Sequence, residues 1–141
     1  MKPMFEIFDE FELATSKKER MDIIQKNLSQ TLVDVLKMAY HPSYQWHIDS
    51  MPEEYKIPTD TLPGLTFHQI STELRRLYMF QKGHPTADKL TPKKRKELLI
   101  QLLESIEPRE AEVVIGIFQK NLGVKGLNYK FVKEAFPQLL P

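Results

Sequence analysis

The chain has 141 residues, a formal net charge of +1, 41% hydrophobic and 28% charged side chains, and no cysteine. That is the make-up of one packed domain of ordinary size and excludes a disordered or fibrous chain. The absence of cysteine excludes a disulfide scaffold, a thiolate zinc site and a thiol nucleophile. The longest apolar run, Val113 to Phe118, is far short of a membrane span. Met1-Lys2-Pro3-Met4-Phe5-Glu6 carries no signal-peptide core. The expectation is an intracellular, membrane-free single domain over residues 1–141. Its charge is uneven: residues 1–60 carry 7 basic and 11 acidic side chains, residues 82–133 carry 11 and 6. One face turned towards a polyanion would be built this way.

Met4 to Leu13 places Phe5, Phe8 and Phe11 at helical spacing. Ser16-Lys17-Lys18-Glu19 has capping-box spacing and predicts a helix to about Asn27 that buries Met21, Ile24 and Leu28. Ser29 caps a third helix, with Leu32, Val33, Leu36 and Tyr40 inward, and His41-Pro42 ends it. Residues 41–65 contain Pro42, Pro52, Pro58 and Pro63 and read as an irregular surface loop within the domain. A short helix around Tyr44 to Ser50 and a turn at Leu62-Pro63-Gly64-Leu65 are expected there.

Thr66-Phe67-His68-Gln69 is a second capping box. It predicts a helix to about Lys82 with Ile70, Leu74, Leu77 and Tyr78 inward, stopped by Gly83. Thr91-Pro92 opens a helix carrying Leu98, Leu99, Leu102, Leu103 and Ile106. Pro108 opens the next, burying Ala111, Val114, Ile115 and Phe118, with Gly123 closing it. Asn128 caps a last helix with Phe131, Val132, Ala135 and Phe136, terminated by Pro137. No alternating run reads as a strand. The fold class is all-α, with six to eight helices.

Chemistry-bearing motifs are few. There is no phosphate-binding glycine loop, no dinucleotide fingerprint and no His-Glu-x-x-His. His41, His47, His68 and His84 are scattered, so no metal is expected, and no carboxylate pair stands out as catalytic. No cofactor and no enzymatic activity are expected. Two basic stretches remain. Lys93, Lys94, Arg95 and Lys96 stand at a helix start, where their charge opposes the helix dipole and suits a partner that brings anions. Lys125, Gly126, Asn128, Lys130 and Lys133 surround a glycine turn into another helix start, where backbone N–H groups could meet a phosphate. The same turn also reads as plain helix–helix geometry with solubilising lysines. Tyr44, Trp46 and Tyr55 in the proline-rich loop are either protein-binding anchors or packing for the loop.

Several segments resemble the all-helical N-terminal DNA-binding domain of T-even phage ATP-dependent DNA ligases. They are Ser16-Lys17-Lys18-Glu19-Arg20 leading into Ile24-Gln25-Lys26-Asn27, then Leu36 through Tyr40-His41-Pro42. At the far end, Gly126 and Asn128 are followed by Ala135-Phe136-Pro137-Gln138-Leu139-Leu140-Pro141. The chain is also similar to small stand-alone proteins of T-even-like phages, cyanophages among them. The resemblance implies a helical domain that grips double-stranded DNA through its backbone, with Gly126, Asn128 and Lys130 at the phosphate-facing helix start and Lys133 a turn later. It implies action in phage replication, repair or genome handling, in the cytoplasm of the infected host cell. The Lys-x-Asp-Gly nucleophile motif of the ligases is absent, so nick sealing is not expected. Glu134 stands where the family has a basic residue, and an acid there would repel a phosphate. The alternative is an adaptor or virion component on the same scaffold, bound to phage replication or virion proteins and not to DNA.

Overall fold

The computed structural model describes residues 2–48 and 69–141. The described residues form an all-helical fold. Among the described residues, eight α-helices and one 3-10 segment enclose one apolar core, and the only extended pairing is an isolated antiparallel bridge between Trp46 and Gln81.

The first three helices are α1 (Met4–Leu13), α2 (Lys17–Lys26) and α3 (Gln30–Tyr40). α1 buries Met4, Ile7, Phe8 and Phe11, so Phe5 lies at the edge of the stripe and not in its centre. Ser16 caps α2 by accepting from the Glu19 N–H at 3.2 Å. The Glu19 carboxylate reaches back to the Thr15 N–H at 3.0 Å, one residue before the expected partner. Ser29 caps α3 through the Leu32 N–H. Leu28, expected inside, is 50% exposed, because it lies past the end of α2 in the turn before Ser29.

The next elements depart most from the sequence pattern. α4 is one turn, Ile70–Glu73, and passes into a 3-10 helix over Leu74–Phe80. The reason is in the spacing. Leu74, Leu77 and Phe80 are three residues apart, and three residues per turn puts all of them on one face. They are 4%, 0% and 0% exposed, while Tyr78, expected inward, points out. The capping residues Thr66 to His68 lie outside the described residues. No helix forms at Tyr44 to Ile48. That segment extends instead beside the end of the 3-10 helix, with the His47 N–H on the Phe80 carbonyl and the Lys82 N–H on the Gln45 carbonyl, both at 2.7 Å. Trp46 is buried against Phe118 at 5.2 Å. A short α5 (Pro85–Lys89), capped by His84, was not signalled by any apolar stripe.

Thr91 caps α6 (Pro92–Ser105), Glu107 caps α7 (Pro108–Phe118) and Asn128 caps α8 (Tyr129–Ala135). The left-handed residue that ends α7 is Lys120, at φ 59°, and not Gly123, which turns the chain three residues later at φ 70°.

Side-chain ties fix which helix ends lie together. Glu110, in the first turn of α7, accepts the Met4 and Phe5 N–H groups at 3.2 and 2.8 Å, so α1 and α7 begin at one end of the molecule. At the other end, Phe11 meets the Phe131 ring at 5.0 Å, joining the close of α1 to the opening of α8. Lys120 donates to the Met38 and His41 carbonyls at 3.0 and 2.7 Å, joining the close of α7 to the close of α3. Tyr40 donates to the Leu127 carbonyl and accepts from the Leu122 N–H, which seats the loop before α8. α6 and α7 are in contact and joined by Ile106-Glu107. Phe80 lies 5.4 Å from Phe118 at the close of α7 while lining one cleft with Leu98, so α6 starts on the side where α7 ends. One end of the bundle therefore gathers the ends of α1, α3 and α7 with the starts of α2, α6 and α8.

Desolvation holds the Lys120 ammonium at a pKa of about 8, down from its ordinary 10.5. In the unfolded chain the amine stays charged up to 10.5. The folded state is therefore penalised below pH 8 and released from that penalty as pH rises towards 10.5. A Lys120→Met variant lacks this titration. Its urea midpoint is expected to fall further behind the parent as pH rises from 8 to 10, and a constant gap would contradict the assignment.

Candidate nucleic-acid interface

The shared end carries the main runs of basic side chains. Lys17, Lys18 and Arg20 open α2, Lys93 to Lys96 open α6, and Lys125 and Lys130 flank the start of α8. At the opposite end stand Glu6, Asp9, Glu10, Glu104, Glu107, Glu110 and Glu112, against Lys2 and Arg109. Among these groups Arg109 grips Asp9 with both nitrogens at 2.6 and 2.8 Å, and Lys2 pairs with Glu10. Both ends draw on both halves of the sequence, so this grouping is not the sequence asymmetry carried into space.

The predicted basic residues divide into free and committed ones. Lys93, Lys96, Lys125 and Lys130 are exposed. Lys94 is exposed and leans on Glu97 at 3.9 Å. Arg95 is not available. Its guanidinium turns inward and donates to the Ala87 and Leu90 carbonyls at 3.0 and 2.8 Å, closing the end of α5. Lys133 is also committed, donating to the Pro137 and Leu140 carbonyls at 3.2 and 2.7 Å and so fastening the final turn.

Asn128 does not face a ligand with its side chain, because the side-chain oxygen accepts the Phe131 N–H at 2.9 Å. Gly126 stands at φ +84°, a left-handed backbone that favours glycine. An added Cβ there would lie 2.9 Å from the Cζ and Nη1 atoms of Arg20. Glu134, expected to repel an anion, is paired with Lys17 of α2. That hydrogen bond, then the charges of Lys17 and Lys130, hold its carboxyl below the usual range. Its charge is answered from within the protein.

The remaining candidates serve local structure. His41 accepts the Ser43 N–H at its Nδ1, His84 accepts the Thr86 N–H, and His47 joins Asp88 at 2.6 Å. His68 and Tyr55 lie outside the described residues. No group of three His, Asp or Glu among the described residues could hold a metal ion. Tyr44 stacks on Trp46 at 5.9 Å, so both belong to the packing of the loop. A cleft of about 190 Å³ between the 3-10 helix and α6 gathers Glu73, Arg76, Gln101 and Ser105 as its polar lining. No described helix is long and apolar enough to cross a membrane.

A family model described as a family of unknown function (DUF6433) matches residues 7–124. The chain belongs to that family. The match stops just short of Lys125, so in this DUF6433 chain the Gly126 turn and α8 follow the matched region. A solved structure named Pmar-Lig_PreS3 is similar in fold, with a TM-score of 0.67 at 17% identity, over 97% of the DUF6433 chain and 31% of the other. The chain therefore spans less than a third of that neighbour's length, and the likeness concerns the fold alone. No curated protein matches the DUF6433 chain.

Arg95, although part of the densest basic run, acts in stability. Arg95→Met is expected to leave the Ala87 and Leu90 carbonyls without their charged donor and to cost about 1–3 kcal/mol. Lys93→Met and Lys96→Met, both on exposed positions, should stay within about 0.5 kcal/mol of the parent. Urea unfolding of the three variants checks the ordering.

Proposed function

We propose that this protein is a non-enzymatic, sequence-independent duplex DNA-binding module that acts in phage replication, repair or genome handling within the infected host cell. The observation that carries the reading is the convergence of its basic segments. The starts of α2, α6 and α8 are far apart in sequence, yet they share one end of the bundle, and their exposed lysines point the same sign of charge at solvent. A surface of this kind attracts a polyanion by releasing condensed counterions, without reading bases. The resemblance of the chain to the helical DNA-binding domain of phage ligases supports the same partner.

The adaptor reading has less behind it. Trp46 is spent on the core and Tyr44 on Trp46, so neither is left as an exposed anchor.

Lys125 and Lys130 test the proposal because both are exposed and neither forms an ion pair within 4.0 Å. The double variant Lys125→Glu with Lys130→Glu should weaken duplex binding by at least tenfold in a low-salt gel shift, with unchanged helix content by circular dichroism. Equal binding by the folded variant and the parent would refute the reading.

A further inference from the structure

Arg20 is a side chain at the basic end that the sequence did not nominate, and its guanidinium makes neither a hydrogen bond nor an ion pair with the described residues. Its guanidinium packs on two surfaces. Cζ lies 5.7 Å from the centre of the Phe11 ring, and the group touches the bare backbone of Gly126. Nε is buried without any hydrogen-bond partner. At the same helix start Glu134 pairs with Lys17, and Glu19 accepts from Thr15. The contrast with the other arginines is informative. Arg95 sets one terminal nitrogen on two carbonyls, although its Nε too is buried without a partner, and Arg109 grips Asp9. Arg20 has none of these, although a desolvated N–H without an acceptor is costly.

We infer that Arg20 is the anchor of a phosphate site, its guanidinium braced by Phe11 and Gly126 and flanked by Lys125 and Lys130, and that the ligand is a phosphate group of a nucleic-acid backbone. The inference rests on the duplex-binding reading and adds its central contact. A planar guanidinium presents paired N–H donors that match two oxygens of one phosphate, which an ammonium cannot do. Bracing removes much of the rotamer freedom that an exposed arginine loses on binding. Gly126 is then required twice: for its positive φ, and because any Cβ would displace the guanidinium.

Three measurements on the full chain test this. Arg20→Met keeps an unbranched apolar stem for Phe11 and removes the charge. Its duplex Kd should rise about tenfold, and the slope of log K against log salt should fall in magnitude by about 1. Arg20→Lys should restore the slope but not the affinity, since charge returns without the fork. In the unmutated protein, the Arg20 Nε–H resonance should shift and saturate with both a short duplex and inorganic phosphate. That last arm holds even if a variant fails to fold.

Parent-like affinity and slope in Arg20→Met, beside a loss in the Lys125 and Lys130 double variant, overturns the anchor and leaves duplex binding standing. Saturable phosphate binding at Arg20 without any duplex binding keeps the phosphate site and overturns the DNA reading. An unmoved Arg20 resonance with both probes overturns the inference outright.

Discussion

The tie between Lys120 and the end of α3 decides where everything downstream can go. With its ammonium on the Met38 and His41 carbonyls, the chain leaves α7 in one direction, aided by a left-handed backbone at Lys120 itself. Tyr40 then holds both sides of the loop, through Leu122 and Leu127. Between them these contacts satisfy carbonyls that the end of a helix leaves without partners, and they favour a cation at the negative end of the α3 dipole. The loop so placed lays Gly126 on Arg20 and delivers Phe131 to Phe11. The basic end is thus built on a structural lysine that takes no part in it.

Charge and packing are arranged separately in this molecule. The core is held by apolar burial, with a fully buried Phe, Leu or Ile contributing roughly 1.5–3 kcal/mol, and it would fold much the same with neutral surface residues. The cations at the start of α6 oppose the helix dipole at a few tenths of a kcal/mol each. Arg95 offsets part of that cost by serving carbonyls, and Lys94 by leaning on Glu97. Lys93, Lys96, Lys125 and Lys130 make no such contact among the described residues. Their concentration at one end is what a partner with many negative charges would meet first, because such a field steers encounter over a Debye length of about 8 Å at physiological salt.

What could be read from the sequence was what depends on near neighbours. Ser16, Ser29, Thr91 and Asn128 all cap helices as expected, since a cap involves only the next three residues. The all-helical class and most core positions follow from periodicity. The 3-10 segment was misread because Ile70, Leu74 and Leu77 fit an α-helix as well, and only Phe80 at the third step reveals the tighter winding. The extended stretch at Trp46 depends on Gln81, and α5 on its seat beside the 3-10 helix; neither has a local signature. The candidate site was half legible. Basic density found Lys93, Lys96, Lys125 and Lys130, but it could not tell a solvent-facing cation from Arg95 or Lys133, which turn to carbonyls. Arg20 escaped notice because its distinction is a contact with a glycine about a hundred residues away.

The central claim is that the basic end of this bundle holds a nucleic-acid backbone by charge. The most direct measurement is the affinity of the unmodified protein for a mixed-sequence duplex across a series of salt concentrations. Six cations at that end, Lys18, Arg20, Lys93, Lys96, Lys125 and Lys130, have no ion pair or carbonyl among the described residues to hold them. If half to all of them meet phosphates, log K should fall linearly with log salt at a slope between about −3 and −5, alike for unrelated sequences. A slope near zero, or no binding at the lowest salt, would contradict it.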